Sequence, residues 1–103
     1  MNKVLTKALE LTEKYDWTRG TYARDARGEP VDTWDQDACQ FCALGFLGRA
    51  RFELQEKYGE KLSAEKLVEA HVPEGFSNNI ASFNDCGNVT KQDIIDLFRK
   101  ANA

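Results

Sequence analysis

The chain has 103 residues and a formal net charge of −3, a length that allows one hydrophobic core and excludes two, so we expect a single globular domain over residues 1–103. The acidic balance argues against binding to nucleic acid, which requires a basic face. No stretch approaches the ~18 apolar residues of a membrane span. Three cysteines cannot all pair within one chain, so we expect free thiols in a reducing cytoplasm.

The first half of the chain contains one clear helical pattern and one interruption of it. Hydrophobic periodicity predicts an amphipathic helix over residues 2–15. Residues 17–32 have no helical period, and turn formers at Asp25 and Gly28 predict a short β-hairpin or an ordered loop there.

The next helix is predicted to be the centre of the fold. We expect it to begin between Asp35 and Asp37, with Gln40 as the reciprocal partner of an Asp37 cap, and to end near Tyr58, where Gly59 can cap it. Its apolar residues point in every direction around 41–47, which is typical of a helix that is buried all round.

Three shorter helices are predicted for the second half: one from Ser63 to near His71, one opened by Ser77, and one opened by Thr90. Thr90 and Asp93 have the spacing of a capping box. The predicted fold class is therefore mainly α (α+β), a compact bundle of four or five helices around the 38–56 helix.

The cysteine pair Cys39-x-x-Cys42 lies at the expected start of the central helix. A thiol there meets the positive end of the helix dipole, which can lower its pKa. A structural zinc module would need four ligands, and the chain offers Cys39, Cys42, His71 and Cys86. We favour the other interpretation, a small buried Cys42, because the spacing matches no known zinc ribbon or finger.

A catalytic alternative uses the same cysteine. The order of residues along the chain matches that of papain-like cysteine hydrolases. In this interpretation Cys42 is the thiolate, His71 is the base, and Asn84 or Asp85 orients the base. A histidine in a last helical turn has a simpler explanation, however, because the helix dipole favours it there. We therefore expect neither a catalytic residue nor a cofactor, and we keep the minimal cysteine hydrolase as the alternative.

Aromatic and charged side chains alternate between Trp17 and Arg27, where a binding surface would find its anchors. Four carboxylates in and beside this stretch, those of Asp16, Asp25, Glu29 and Asp32, nearly cancel the local charge, so pairing within the segment competes with an external ligand. The candidate partner-surface residues are Trp17, Arg19, Tyr22, Arg24 and Asp25.

Two glycines on the central helix, Gly45 and Gly48, remove side chains from the face that carries Cys42. Glycine costs about 1 kcal/mol in a helix interior, so we expect another element to approach closely there, either the Trp17 segment or the turn at Asn84. Arg49 continues this face and needs a partner, for which Asp85 and Asp25 are candidates.

Three blocks of sequence together carry a resemblance: Trp17-x-x-Gly20-x-Tyr22-Ala23-Arg24-Asp25, Phe41-Cys42-Ala43-Leu44-Gly45 and Phe83-Asn84-Asp85. Over residues 17–101 the chain resembles a family of small uncharacterised proteins of bacteria and their phages, classed as a domain of unknown function. The resemblance implies a cysteine at the position of Cys42 and no established activity.

From these observations we expect a small cytoplasmic protein that binds another protein as an accessory or regulatory module, of phage or mobile-element origin. We further expect the three blocks to converge on the Cys42 face of the central helix. If they meet at a pocket, they mark a ligand site; if they meet only inside the core, they are a folding signature.

Overall fold

Five helices and a small three-stranded sheet make up the fold in a computed structural model that describes all 103 residues. The elements in chain order are α1 (Lys3–Lys14), β1 (Asp16–Trp17), β2 (Ala23–Arg24), β3 (Gln40–Phe41), α2 (Ala43–Leu54), α3 (Tyr58–Glu69), α4 (Ile80–Asp85) and α5 (Lys91–Ala101). The predicted mainly α class is confirmed.

The sheet brings distant parts of the chain together. β3 lies in the middle, parallel to β1 and antiparallel to β2, with Phe41 opposite both Trp17 and Ala23. Within the predicted 17–32 segment, pairing is limited to one bridge between Arg24 and Pro30. The segment is therefore an ordered loop with a small turn, and its main strand pairs with β3.

The central helix is shorter than predicted at both ends. It begins at Ala43 with Cys42 as its N-cap, not near Asp37. The Asp37/Gln40 spacing is locally suited to a helix start, but β3 occupies residues 40–41 because both of its edges are paired. Tertiary pairing has overridden a local capping signal.

The predicted end of this helix at Tyr58 was also wrong. α2 stops at Leu54, and Gln55 takes the left-handed conformation with φ of 56° that usually belongs to glycine. α3 then begins at Tyr58, so Gly59 lies inside it, and Ser63 is an interior residue of α3 and not its cap.

The last two helices follow the prediction more closely. α4 is capped by Asn79 and not by Ser77, which has a φ of 51° in the preceding turn. α5 begins at Thr90 with the predicted capping box to Asp93.

The core is a single cluster of 21 buried residues, with Phe46 and Leu47 of α2 fully buried in it. Arg49, only 9% exposed, finds other partners than Asp85 or Asp25. Its Nε donates to Glu53 at 2.8 Å, and its Nη1 donates to two backbone carbonyls of the 33–35 loop at 2.9 Å. None of the helices is both long enough and apolar enough to cross a membrane.

Candidate functional site

Asn84, on α4, joins the three sequence blocks inside the protein. Its side chain is 1% exposed. Its Oδ1 accepts from the indole Nε1 of Trp17 at 2.7 Å and from the backbone N–H of Ala43 at 2.9 Å. Its Nδ2 donates to the carbonyl of Thr18 at 3.2 Å and to Asp85 Oδ1 at 3.0 Å. All of its usual hydrogen-bonding capacity is engaged, so Asn84 holds the blocks in place.

Two further hydrogen bonds complete the convergence. The backbone N–H of Gly20 donates to Asp85 Oδ1 at 3.1 Å, and the backbone N–H of Cys42 donates to the Tyr22 carbonyl at 3.2 Å. Each block is therefore bonded directly to both others.

Gly45 is the point of closest approach between the second block and the first. A Cβ added there would lie 1.9 Å from the Tyr22 carbonyl oxygen and 2.9 Å from its carbon. The prediction that this glycine admits the Trp17 segment is confirmed. Gly48 has more room, with the nearest atoms on Lys61 and Thr33 at 3.5 Å.

The blocks enclose a cavity of about 350 Å³ at the surface, which we call the Asp85 hollow. It is lined by Gly20, Thr21, Tyr22, Cys42, Leu44, Ala81, Asn84 and Asp85. The blocks thus meet at a pocket as well as in the core, which makes this hollow the candidate site.

A second cavity, of about 250 Å³, shares the Tyr22 and Leu44 wall of the first. We call it the Arg51 hollow; its other lining residues are Thr33, Gly48, Arg51, Tyr58 and Lys61. The two hollows and their shared wall form one continuous face, here named the Tyr22 surface.

Comparison with known proteins places the chain in a family. A family model, described as a family of unknown function (DUF6197), matches residues 1–103. The chain belongs to DUF6197. No curated protein and no solved structure matches it.

In this DUF6197 chain the Cys42 thiol is poorly suited to nucleophilic attack. Cys42 is 7% exposed, and its Sγ accepts from the Gly45 N–H at 3.3 Å as the cap of α2. Burial raises the pKa of the Cys42 thiol, and the backbone N–H groups of the first turn only partly offset that effect. The thiol therefore stays protonated at neutral pH.

The predicted catalytic set is only partly assembled. Cys42, Asn84 and Asp85 line the Asp85 hollow, but His71 lies exposed in the turn after α3 and is not among the lining residues. Asn84 is fully engaged in structural hydrogen bonds and has none for a catalytic base. The hollow therefore lacks the histidine base that the predicted catalytic set requires, and Asp85 is the carboxylate that it contains.

The four predicted zinc ligands likewise do not lie close together. No group of three or more histidine, cysteine, aspartate or glutamate side chains is close enough to hold a metal ion. The proposed ligands Cys39, Cys42, His71 and Cys86 therefore do not form a site here, and all three cysteines are free thiols.

Four of the five predicted surface residues have structural contacts. The Trp17 ring lies under the Arg19 guanidinium at 4.6 Å, and Arg19 also donates to the Val89 carbonyl. Arg24 donates to Thr18 Oγ1 at 2.9 Å and to two loop carbonyls at 3.0 Å.

Asp25 stabilises the turn that follows. The N–H groups of Glu29 and Arg27 donate to its carboxylate at 3.0 and 2.9 Å, and these bonds hold the pKa of Asp25 below its ordinary value. Tyr22 differs from the other four because it is 59% exposed.

The sequence analysis singled out Tyr22 and Gly48 of the Arg51 hollow, but it did not identify Arg51, Tyr58 or Lys61 as candidate site residues. Arg51 and Lys61 lie on different helices, and Tyr58 was assigned to the end of α2. In the sequence these three residues are one aromatic and two basic side chains in a polar stretch. Such a pattern by itself indicates an ordinary solvent-exposed helix face.

Proposed function

We propose that this DUF6197 chain is a protein-binding accessory or regulatory module that uses the Tyr22 surface as its interface. The observation that carries the proposal is the position of Tyr22. Its side chain is 59% exposed, and it forms a wall of two neighbouring hollows. Exposed aromatic side chains beside concave pockets are typical anchors of protein interfaces.

The backbone beneath Tyr22 supports this interpretation. The Tyr22 carbonyl lies against Gly45 and accepts from the Cys42 N–H, so the residue that carries the exposed ring is held by α2. A ring mounted on a rigid backbone loses little conformational entropy when it binds, which favours affinity.

Two finer parts of the proposal rest on other evidence. A cytoplasmic location is supported by three cysteines that remain free thiols, as expected in a reducing compartment. A phage or mobile-element origin rests on the resemblance of the three blocks alone.

The proposal is tested by photocrosslinking in a lysate of the encoding organism. A benzophenone amino acid replaces Tyr22 in one preparation and Trp34 in another; Trp34 is equally exposed, at 58%, and lies outside both hollows. We expect the benzophenone at position 22 to form a discrete adduct with one protein, and the benzophenone at position 34 not to form that adduct. Identical adducts at both positions, or no adduct at position 22, would contradict the proposal.

Substitution gives a second, quantitative readout on the captured protein. Tyr22→Ala should weaken its binding about thirtyfold, the effect of losing one interface anchor. The thermal unfolding of the variant should stay near that of the unmodified protein, because the lost side chain is largely in solvent. Trp34→Ala is the matched control and should leave the affinity unchanged.

A further inference from the structure

The two hollows of the Tyr22 surface carry opposite charges. Asp85 is the carboxylate of the Asp85 hollow, where the buried thiol of Cys42 adds no charge. Arg51 and Lys61 are the ionisable cations of the Arg51 hollow. An aromatic and aliphatic wall, Tyr22 with Leu44, separates them.

The charge of Asp85 is not neutralised within the chain. Its Oδ1 accepts from two N–H groups, those of Gly20 and the Asn84 amide, and no Lys, Arg or His nitrogen lies within 4.0 Å of the carboxylate. Leu44 and Ala81 provide apolar walls around it. This combination fits a basic side chain, whose aliphatic stem packs on apolar atoms while its charged end meets a carboxylate.

The other hollow has the complementary property. Arg51 forms no ion pair, its Nη1 donates only to the Glu56 carbonyl at 3.3 Å, and its buried Nε has no hydrogen-bond partner. Lys61 is paired with Glu65 at 2.5 Å, so Arg51 supplies the uncompensated positive charge. A guanidinium in this state is suited to a carboxylate.

The size of the hollows distinguishes a protein segment from a small ligand. At about 350 and 250 Å³, they lie at and below the lower end of the range for pockets that enclose a whole ligand, roughly 300–1,000 Å³. Each is suited to a side chain. A chain that passes over the shared wall of Tyr22 and Leu44 can place one side chain in each.

We infer that the occupant of the Tyr22 surface is an extended segment of the partner protein, with a basic side chain in the Asp85 hollow and an acidic side chain in the Arg51 hollow. The inference rests on the proposed function and specifies the chemistry of its partner. In an extended segment, alternate side chains point to the same face about 7 Å apart, so one segment can supply both.

A peptide array tests the inference. Its members are short fluorescent peptides with one arginine and one glutamate, placed in both orders and at increasing separations on a neutral background. Matched peptides replace arginine by citrulline or glutamate by glutamine. We expect one order and a narrow range of separations to bind best, and each neutral replacement to weaken binding about fivefold.

Two variants assign each charge to its hollow. Asp85→Asn retains the Oδ1 acceptor of Gly20 and should abolish the preference for arginine over citrulline while preserving that for glutamate. Arg51→Gln should do the reverse. Asp96→Asn and Arg99→Gln make the same charge changes on α5, outside both hollows, and should leave both preferences intact.

Three results would overturn the inference: no peptide binds, the preferences survive Asp85→Asn and Arg51→Gln, or acetyl-arginine amide binds as tightly as the best peptide. The last result would indicate a site for a free cation. If the benzophenone at position 22 still crosslinks to a protein while no peptide of the array binds, the proposed function stands and only the inference of an extended segment is wrong. If the crosslink is also absent, the proposed function fails with it.

Discussion

The α-carbon of Gly45 lies so close to Tyr22 that a Cβ on it would stand 1.9 Å from the Tyr22 carbonyl oxygen. This contact joins the first turn of α2 to the loop that carries the exposed ring. Because the obstructing atom belongs to the backbone, no side-chain rotation can relieve the clash. The position of Tyr22 thus depends on the absence of one methyl group.

We therefore expect Gly45→Ala to lower the free energy of unfolding by about 3 kcal/mol, the upper range for overpacking a buried position. Urea denaturation followed by circular dichroism measures it. Gly48→Ala is the control in the same helix: its nearest neighbours are at 3.5 Å, and alanine's helix propensity should make the change neutral or stabilising by up to about 1 kcal/mol. Equal effects of the two substitutions would contradict the close-contact argument.

Asn84→Ala should also destabilise the protein by about 3 kcal/mol, because the Trp17 indole and the Ala43 N–H would lose a buried acceptor. The change should be seen as a lower urea midpoint and a shift in Trp17 fluorescence. Asn88→Ala, at an exposed turn position, should change the unfolding free energy by less than about 0.5 kcal/mol. A stable Asn84→Ala variant would show that the blocks do not depend on this amide.

Cys42 should resist alkylation at neutral pH. Burial raises the pKa of its thiol above the ordinary value of 9.0, so both the thiolate fraction and access are low. Peptide mapping after iodoacetamide treatment should find Cys39 and Cys86, both partly exposed, modified first, and Cys42 modified only with denaturant. Rapid native modification of Cys42 would revive the cysteine-hydrolase alternative.

Because of the ion pair between Glu53 and Arg49, the free energy of unfolding should decrease as the pH falls into the acid range. Burial alone would raise the pKa of Glu53, but the Arg49 hydrogen bond and the charges of Arg49, Lys7 and Lys14 outweigh it, so the pKa lies below its ordinary 4.5. A carboxylate whose pKa is lower in the folded than in the unfolded protein stabilises the fold at pH values above its unfolded-state pKa. This stabilisation is lost as the pH falls through its folded-state pKa.

Glu53→Gln should thus cost about 1 kcal/mol at pH 7, and its difference from the unmodified protein should shrink as the pH falls below 4.5. Denaturation curves at several pH values measure this. Glu10→Gln, whose carboxylate lies on the surface 3.6 Å from Lys7, should show almost no difference at any pH. A constant Glu53→Gln cost across the range would contradict the linkage.

Features that depend on neighbouring residues were predictable from the sequence. The α1 periodicity and the Thr90/Asp93 capping box involve side chains three or four positions apart, so the local pattern predicts them directly. The need for a glycine at position 45 was also visible, because an unexplained glycine inside a helix indicates close packing.

The boundaries of α2 were not predictable in the same way. Residues near Asp37 carry a valid local capping signal, yet the chain there forms β3 because β1 and β2 satisfy both of its edges. At the other end, Gln55 adopts a left-handed conformation without the glycine that usually marks it. At the first boundary, contacts distant in sequence outweigh a local capping preference of about 1 kcal/mol. At the second, the turn is closed by local bonds from the Gln55 and Glu56 N–H groups to the Arg51 and Phe52 carbonyls.

The sequence by itself determined the mainly α class, the helix faces that pack inward and the three blocks that converge near Cys42. Only the tertiary structure decided that Asn84 joins those blocks while Tyr22 remains exposed, and that Arg51 and Lys61, on separate helices, share a hollow beside it. The physical reason is that helix and turn preferences act over a few residues. A surface between elements depends on how they pack, which no local pattern specifies.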